Sequence, residues 1–219
     1  MTKLFLLSPG PDVPAQDANV LGVAGRARVE HVVVLSSLGA ELGGIGGGAM
    51  HLPGERLLRD SGLPWTILHP TEFMTNTLWW RDTIIAASAI FVPSGSGRVA
   101  LIDPSDIGEV AAHVLTTPDH EGRVYRLTGP EALTTADIAA HLSEVLDRPV
   151  RHVDIADSEF HDQLLRSGLP QALVDAQVAY YGAVKLGVAD ITSGDVEQLL
   201  GRAPTAYRTW LAAHAAAFR

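Results

Sequence analysis

The run His31-Val-Val-Val-Leu-Ser36 constrains the fold more than any other stretch of this chain. Consecutive β-branched residues favour an extended strand. They leave it no polar face, so both sides must be covered, as in a parallel sheet flanked by helices. Residues 3–7 and 65–68 are further short apolar runs, closed by Ser8-Pro9-Gly10 and by His69-Pro70. Both closures are strong breaks. Residues 99–102, 124–127 and 151–155 read as additional strands. Residues 91–100 read as a hairpin-like stretch around Ser94-Gly95-Ser96-Gly97. Helical patterns fill the gaps at 11–28, 50–61, 77–89, 103–116 and 134–146. Asp103-Pro104-Ser105-Asp106 opens one of them, and Thr134 or Thr135 caps another. Beyond 155 the chain reads as helices at 158–167, 170–186, 194–200 and 204–218. Strands alternating with helices, then a helical end, predict an α/β fold with a mostly parallel sheet and a small C-terminal helical lobe. The expected division is 1–150 for the sheet domain and 151–219 for the lobe.

Composition excludes several function classes. The chain has no cysteine, which removes disulfides, thiolate metal sites and cysteine nucleophiles. Its formal net charge is −9, the opposite of what a phosphate-tracking surface needs, so no nucleic-acid partner is expected. The apolar run at residues 4–7 is too short for a signal peptide, and Asp12 and Asp17 follow at once. Nothing approaches the ~20 apolar residues of a membrane helix. A cytoplasmic protein is expected, with no membrane partner.

Glycine dominates residues 39–48, which read as a flexible loop. It is not a phosphate loop, because no Lys-Ser/Thr follows, and GGIGGG does not fit a Gly-x-Gly-x-x-Gly turn. No Gly-x-Ser-x-Gly elbow occurs. The histidines at 113, 120, 141, 152, 161 and 214 lack metal-ligand spacing and read as surface or cap residues, so no metal is expected. Ser36 and Ser37 end the best strand, where open α/β sheets bind ligands. The competing reading is a pair of turn serines. His51 and Glu55 are four apart on one predicted helix and could form a His–carboxylate relay, or simply a surface pair. Trp79 and Trp80 could line an apolar pocket, but neighbours on a helix cannot both face it.

Four segments then carry a resemblance: HVVVLSSLGA, WTILHPTEFMTN, LIDPSDIGEVAAHVL and VYRLTGPEALT, with the ending GDVEQLLGRAPTAYRTWLAAHAAAF. Together they resemble the NmrA-like proteins, atypical members of the short-chain dehydrogenase/reductase superfamily. The resemblance spans essentially the whole chain. It implies a Rossmann-like sheet that binds NAD(P), in reductases of quinones and related molecules or in non-catalytic sensors. It places Ser36 or Ser37 at the superfamily's substrate-orienting hydroxyl. It also places the loop of His69, Pro70, Glu72, Phe73 and Asn76 near nicotinamide and substrate. Two departures stand out. Residues 3–10 resemble the fourth strand of the family fold, so a truncated Rossmann-like domain is expected, lacking the N-terminal dinucleotide-binding segment. The usual Tyr-x-x-x-Lys is also absent, its helix reading His51-Leu-Pro-Gly-Glu55.

The combined expectation is non-redox acid/base chemistry on a hydrophobic small molecule: isomerisation, cyclisation or dehydration. Ser36, Ser37, His51 and Glu55 would be the catalytic set. His69, Pro70, Glu72, Phe73, Asn76, Trp79 and Trp80 would bind substrate. No cofactor is expected for the chain as given. Ser8, Pro9 and Gly10 would touch a nucleotide only if one is bound. A homodimer would cover the exposed sheet edge. The alternatives are an NAD(P)H-dependent quinone-type reductase whose N-terminal half lies outside this sequence, and a non-catalytic nucleotide or small-molecule sensor.

Overall fold

The structure is a computed structural model that describes residues 2–10 and 12–219. Strand β1 (Lys3–Leu6) leads through the Ser8–Gly10 turn to helix α1 (Val13–Arg26), β2 (His31–Leu35), α2 (Leu38–Glu41) and α3 (Gly48–Asp60). Then come β3 (Trp65–Pro70), a 3-10 helix at Met74–Trp80, α4 (Arg81–Ala87), β4 (Ala89–Phe91), β5 (Arg98–Val99) and α5 (Pro104–Thr116). The remainder is β6 (Arg123–Leu127), β7 (Leu133–Thr134), α6 (Thr135–Leu146), β8 (Arg151–Val153), α7 (Asp157–Arg166), α8 (Gln171–Lys185), α9 (Asp195–Leu200), α10 (Tyr207–His214) and a final 3-10 turn, Ala215–Phe218.

The main sheet has the order β1-β2-β3-β6, and every neighbouring pair is parallel. The α/β fold is as expected. Strand β2 is buried at all five positions, and alternation assigns its side chains to two cores. Val33 and Leu35 pack with Leu68, Ile107, Val110 and Val114 under α5. Val32 and Val34 pack with Leu6, Leu21, Leu58 and Ile67 under α1 and α3. A third core joins Ile84, Ile90, Leu133 and Leu142 to Tyr181, Tyr207, Trp210 and Leu211. The C-terminal helices therefore share their core with elements from both sides of residue 150.

Several expectations fail locally. Residues 91–100 form no hairpin: β4 pairs in parallel with β8, and β5 pairs antiparallel with β7. The strand expected at 99–102 shrinks to Arg98–Val99 plus an isolated bridge from Ile102 to Phe73. The helix expected at 77–89 is a 3-10 turn followed by a short α-helix, ended by Ser88 in the left-handed region (φ 51°). The glycine stretch is no slack loop. A Cβ on Gly48 would lie 2.2 Å from the Gly39 carbonyl carbon, so these glycines let α2 and α3 touch. His120 is buried rather than superficial, its Nδ1 2.8 Å from the Tyr125 hydroxyl and its Nε2 2.8 Å from Thr117 Oγ1.

Candidate functional site

A cavity of about 550 Å3 opens at the carboxyl ends of β1, β2 and β3. Open α/β sheets bind ligands at this end. Pro9 and Gly10 enter from the β1 turn, Ser37, Leu38 and Gly39 from the end of β2, and Pro70 to Phe73 from the end of β3. Leu42, Ile45 and His51 close one wall; Gln177, Tyr180 and Ala183 of α8 close another. Most of the lining is apolar, and among the described residues neither Lys nor Arg belongs to it.

The proposed catalytic set divides. Ser37 lines the cavity, but its Oγ accepts from the Gly39 amide and caps α2. Ser36 is buried and turns away, donating to Glu55 Oε1 at 2.5 Å. The His51–Glu55 relay does not form. Glu55 is instead held by Ser36, by Arg59 Nη2 (3.0 Å to Oε2) and by His69 Nε2 (2.7 Å to Oε1). The i, i+4 geometry that joins His51 to Glu55 in sequence is used by Glu55 and Arg59. His51 stays at the cavity wall, and burial above all lowers its pKa, favouring the neutral ring.

His69 likewise does not line the cavity. It is 2 % exposed, and its Nδ1 lies 3.1 Å from Glu41 Oε2. Glu41 in turn takes the Arg126 guanidinium on both oxygens, the Nε bond to Oε1 measuring 2.9 Å. The chain Ser36–Glu55–His69–Glu41–Arg126 thus ties α3, β2, β3, α2 and β6 together beneath the cavity. Burial pushes the Glu55 carboxyl up, but hydrogen bonds from His69, Ser36 and Arg59 bring it down to about 2.

Pro70, Glu72, Phe73, Asn76 and Trp79 do line the cavity. Trp80 does not: it packs against the core shared with the C-terminal helices, while Trp79 is 68 % exposed. A tandem pair splits this way because successive residues point apart. Ser8 is buried and donates to Asp17 Oδ1 at 2.6 Å, leaving Pro9 and Gly10 as the members of that turn that reach the cavity. Sequence reasoning missed Tyr180, whose hydroxyl donates to Glu72 Oε2 at 2.6 Å across 108 residues. No local signal marks a contact of that range. Glu41 and Arg126 were missed for the same reason.

No family model matches the chain. Over 217 residues it is 34% identical to (4-alkanoyl-5-oxo-2,5-dihydrofuran-3-yl)methyl phosphate reductase of Streptomyces griseus subsp. griseus, covering 98% of this chain and 76% of that protein. Over 221 residues it is 34% identical to the NAD(P)H azoreductase of Xenophilus azovorans, covering 99% and 76%. The Escherichia coli NADPH-dependent quinone oxidoreductase QOR2, solved with NADPH, superposes with a TM-score of 0.89 at 26% identity, covering 98% of this chain and 76% of that one. The chain belongs to the NmrA-like, atypical short-chain dehydrogenase/reductase family. For this NmrA-like chain the non-redox reading is overturned, because these relatives are named as reductases or oxidoreductases. The expectation of no cofactor falls with it, since NAD(P)H stands in the azoreductase's name and NADPH in the quinone oxidoreductase complex. The chain spans about three quarters of these relatives' length, and the expected loss of a dinucleotide-binding segment gets no support from that coverage.

Proposed function

We propose that the chain is an NAD(P)H-dependent reductase of an uncharged, flat, largely apolar acceptor, with quinone-type carbonyl compounds as the substrate class. The observation that carries this reading is the lining of the cavity. Leu38, Leu42, Ile45, Phe73, Trp79 and Val99 offer apolar walls, with a few polar groups between them. That is the usual make-up of a small-molecule site. With no Lys or Arg among the described lining residues, a phosphorylated acceptor would lose its counter-charge on entry. The likeness to a phosphate-ester reductase therefore extends to the reaction type and not to the acceptor.

The turn at the end of β1 fits the nicotinamide end of a dinucleotide. Gly10 sits at φ +80°, and nothing lies within 4 Å of where a Cβ would be. Backbone at such a glycine can approach a ligand closely. Pro9, Gly10, Ser37 and Pro70 would flank the ring. When bound, reduced nicotinamide supplies a hydride. The chain's own residues orient the acceptor and exclude water. The apolar walls remove bulk solvent, and neutral His51 and Asn76 offer hydrogen bonds to the acceptor's polar atoms. Ser37, tied to Gly39, fixes the α2 turn that forms one rim.

The test is NADPH consumption by the purified chain with menadione, followed by absorbance, beside a phosphorylated acceptor of similar size. Turnover should occur with menadione and be at least about tenfold weaker with the phosphate ester. The reading is abandoned if neither quinones nor azo compounds draw NADPH oxidation.

A further inference from the structure

Glu72 stands half-buried in the cavity wall, with partners that make it an unusual group. The Tyr180 hydroxyl donates to Oε2 at 2.6 Å, and Asn76 lines the same cavity. The phenols of Tyr181 on α8 and Tyr207 on α10 are within electrostatic reach, and His51 of α3 shares the cavity. None of these neighbours brings a fixed positive charge to the carboxyl. Burial pushes Glu72 above its ordinary value, against the hydrogen bond from Tyr180. Burial first, and Glu72 next, keep the Tyr180 proton in place well past neutral pH.

A carboxyl that keeps its proton has one O–H to give. Tyr180 already donates to this one, so an acceptor for that proton is to be sought in the cavity the carboxyl lines. Leaving it unmade is costly in apolar surroundings. We propose that Glu72, clamped by Tyr180, is the hydrogen-bond donor that recognises the acceptor oxygen of a flat carbonyl ligand in this cavity. The inference rests on the reductase reading only for the ligand's chemical class. Tyr180 is the positioning residue: it holds one carboxyl oxygen so that the other turns towards the ligand.

The experiment is calorimetric binding without nucleotide. The probes are menadione and 2-methylnaphthalene, which has the same rings and methyl group but no oxygens. The wild-type chain should prefer menadione by about tenfold, the value of one buried hydrogen bond. Glu72→Leu should erase the preference while keeping affinity for the hydrocarbon. Glu72→Gln, which retains an N–H donor, should keep it. As the pH is raised the wild-type preference should fall as Glu72 ionises, and that of Glu72→Gln should stay flat. Tyr180→Phe should weaken menadione binding severalfold and move the pH midpoint. No menadione binding to the wild type, an unchanged preference in Glu72→Leu, or matching pH profiles for wild type and Glu72→Gln would each overturn the proposal. Circular dichroism checks the fold; if Glu72→Leu fails to fold, the Glu72→Gln pH profile decides. Because no NADPH is present, failed turnover sinks the reductase reading alone, and failed recognition sinks this one alone.

Discussion

Neighbouring residues in this chain divide labour in ways that one substitution each can expose. Ser36 and Ser37 are the plainest case. Ser36→Ala removes a buried donor from Glu55 and should lower stability by about 1–3 kcal/mol in denaturant melts. Ser37→Ala removes only the α2 cap and should cost about 1 kcal/mol. Trp79 and Trp80 divide similarly. Trp79→Ala should raise KM for a flat aromatic acceptor by about threefold to tenfold with kcat kept, the value of one aromatic contact. Trp80→Ala should appear in the melting temperature, since that ring packs on the core. Measuring KM and Tm for both separates the roles, and equal effects on KM would contradict the placement.

Among the elements, α5 is the one that reaches across the fold. Asp103 caps it by accepting from the Ser105 amide at 2.9 Å. Asp106, fully buried in its first turn, accepts from the Thr205 amide and from Arg202, both at 2.7 Å. It ties the segment before α10 to the sheet domain. Asp106→Ala leaves the Thr205 amide without its acceptor, while Arg202 keeps Glu109, and should cost about 1–3 kcal/mol, whereas Asp103→Ala should cost about 1 kcal/mol. Thermal melts of both variants check the ranking. The α2–α3 contact behaves differently, because shape alone sets it. Gly48→Ala would drive a methyl into the Gly39 backbone, and loss of a folded product on expression is expected.

Across the whole molecule, the Ser36–Glu55–His69–Glu41–Arg126 chain couples stability to pH. Glu55 falls from an ordinary 4.5 to about 2 on folding. Arg126 first, and His69 with it, also hold Glu41 below its ordinary value. A depressed carboxyl contributes stability that is complete above about pH 4.5 and is lost as the pH falls towards about 2. For Glu55 the loss is about 3 kcal/mol. Urea midpoints measured between those two pH values should fall steeply for the wild type and far less for Glu55→Gln. A flat wild-type profile would show that the network does not carry this linkage. Among the described residues, no helix is long and apolar enough to cross a membrane.

The sequence by itself determined the parallel sheet and the family, while the class of reaction it suggested was the wrong one. Strands β2 and β3 were legible because a strand buried on both faces must be a continuous apolar run; β1 was legible as an apolar run although Phe5 stays exposed at the sheet edge, and breaks at Pro and Gly are local. A cap at Thr134 or Thr135 was legible locally, and the structure chose Thr134 and added its reciprocal bonds with Asp137. The motif segments carried the family resemblance, though the expected loss of the dinucleotide-binding segment, with the missing Tyr-x-x-x-Lys, led to the wrong reaction. Only the tertiary structure decided which polar residues share a site. Glu55 could pair locally with His51, but burial beside Ser36 and His69 offered better-placed hydrogen bonds. Glu72 meets Tyr180 only because α8 folds back over the carboxyl ends of the strands. Periodicity reports which face of an element is buried; it does not report what that face will be buried against.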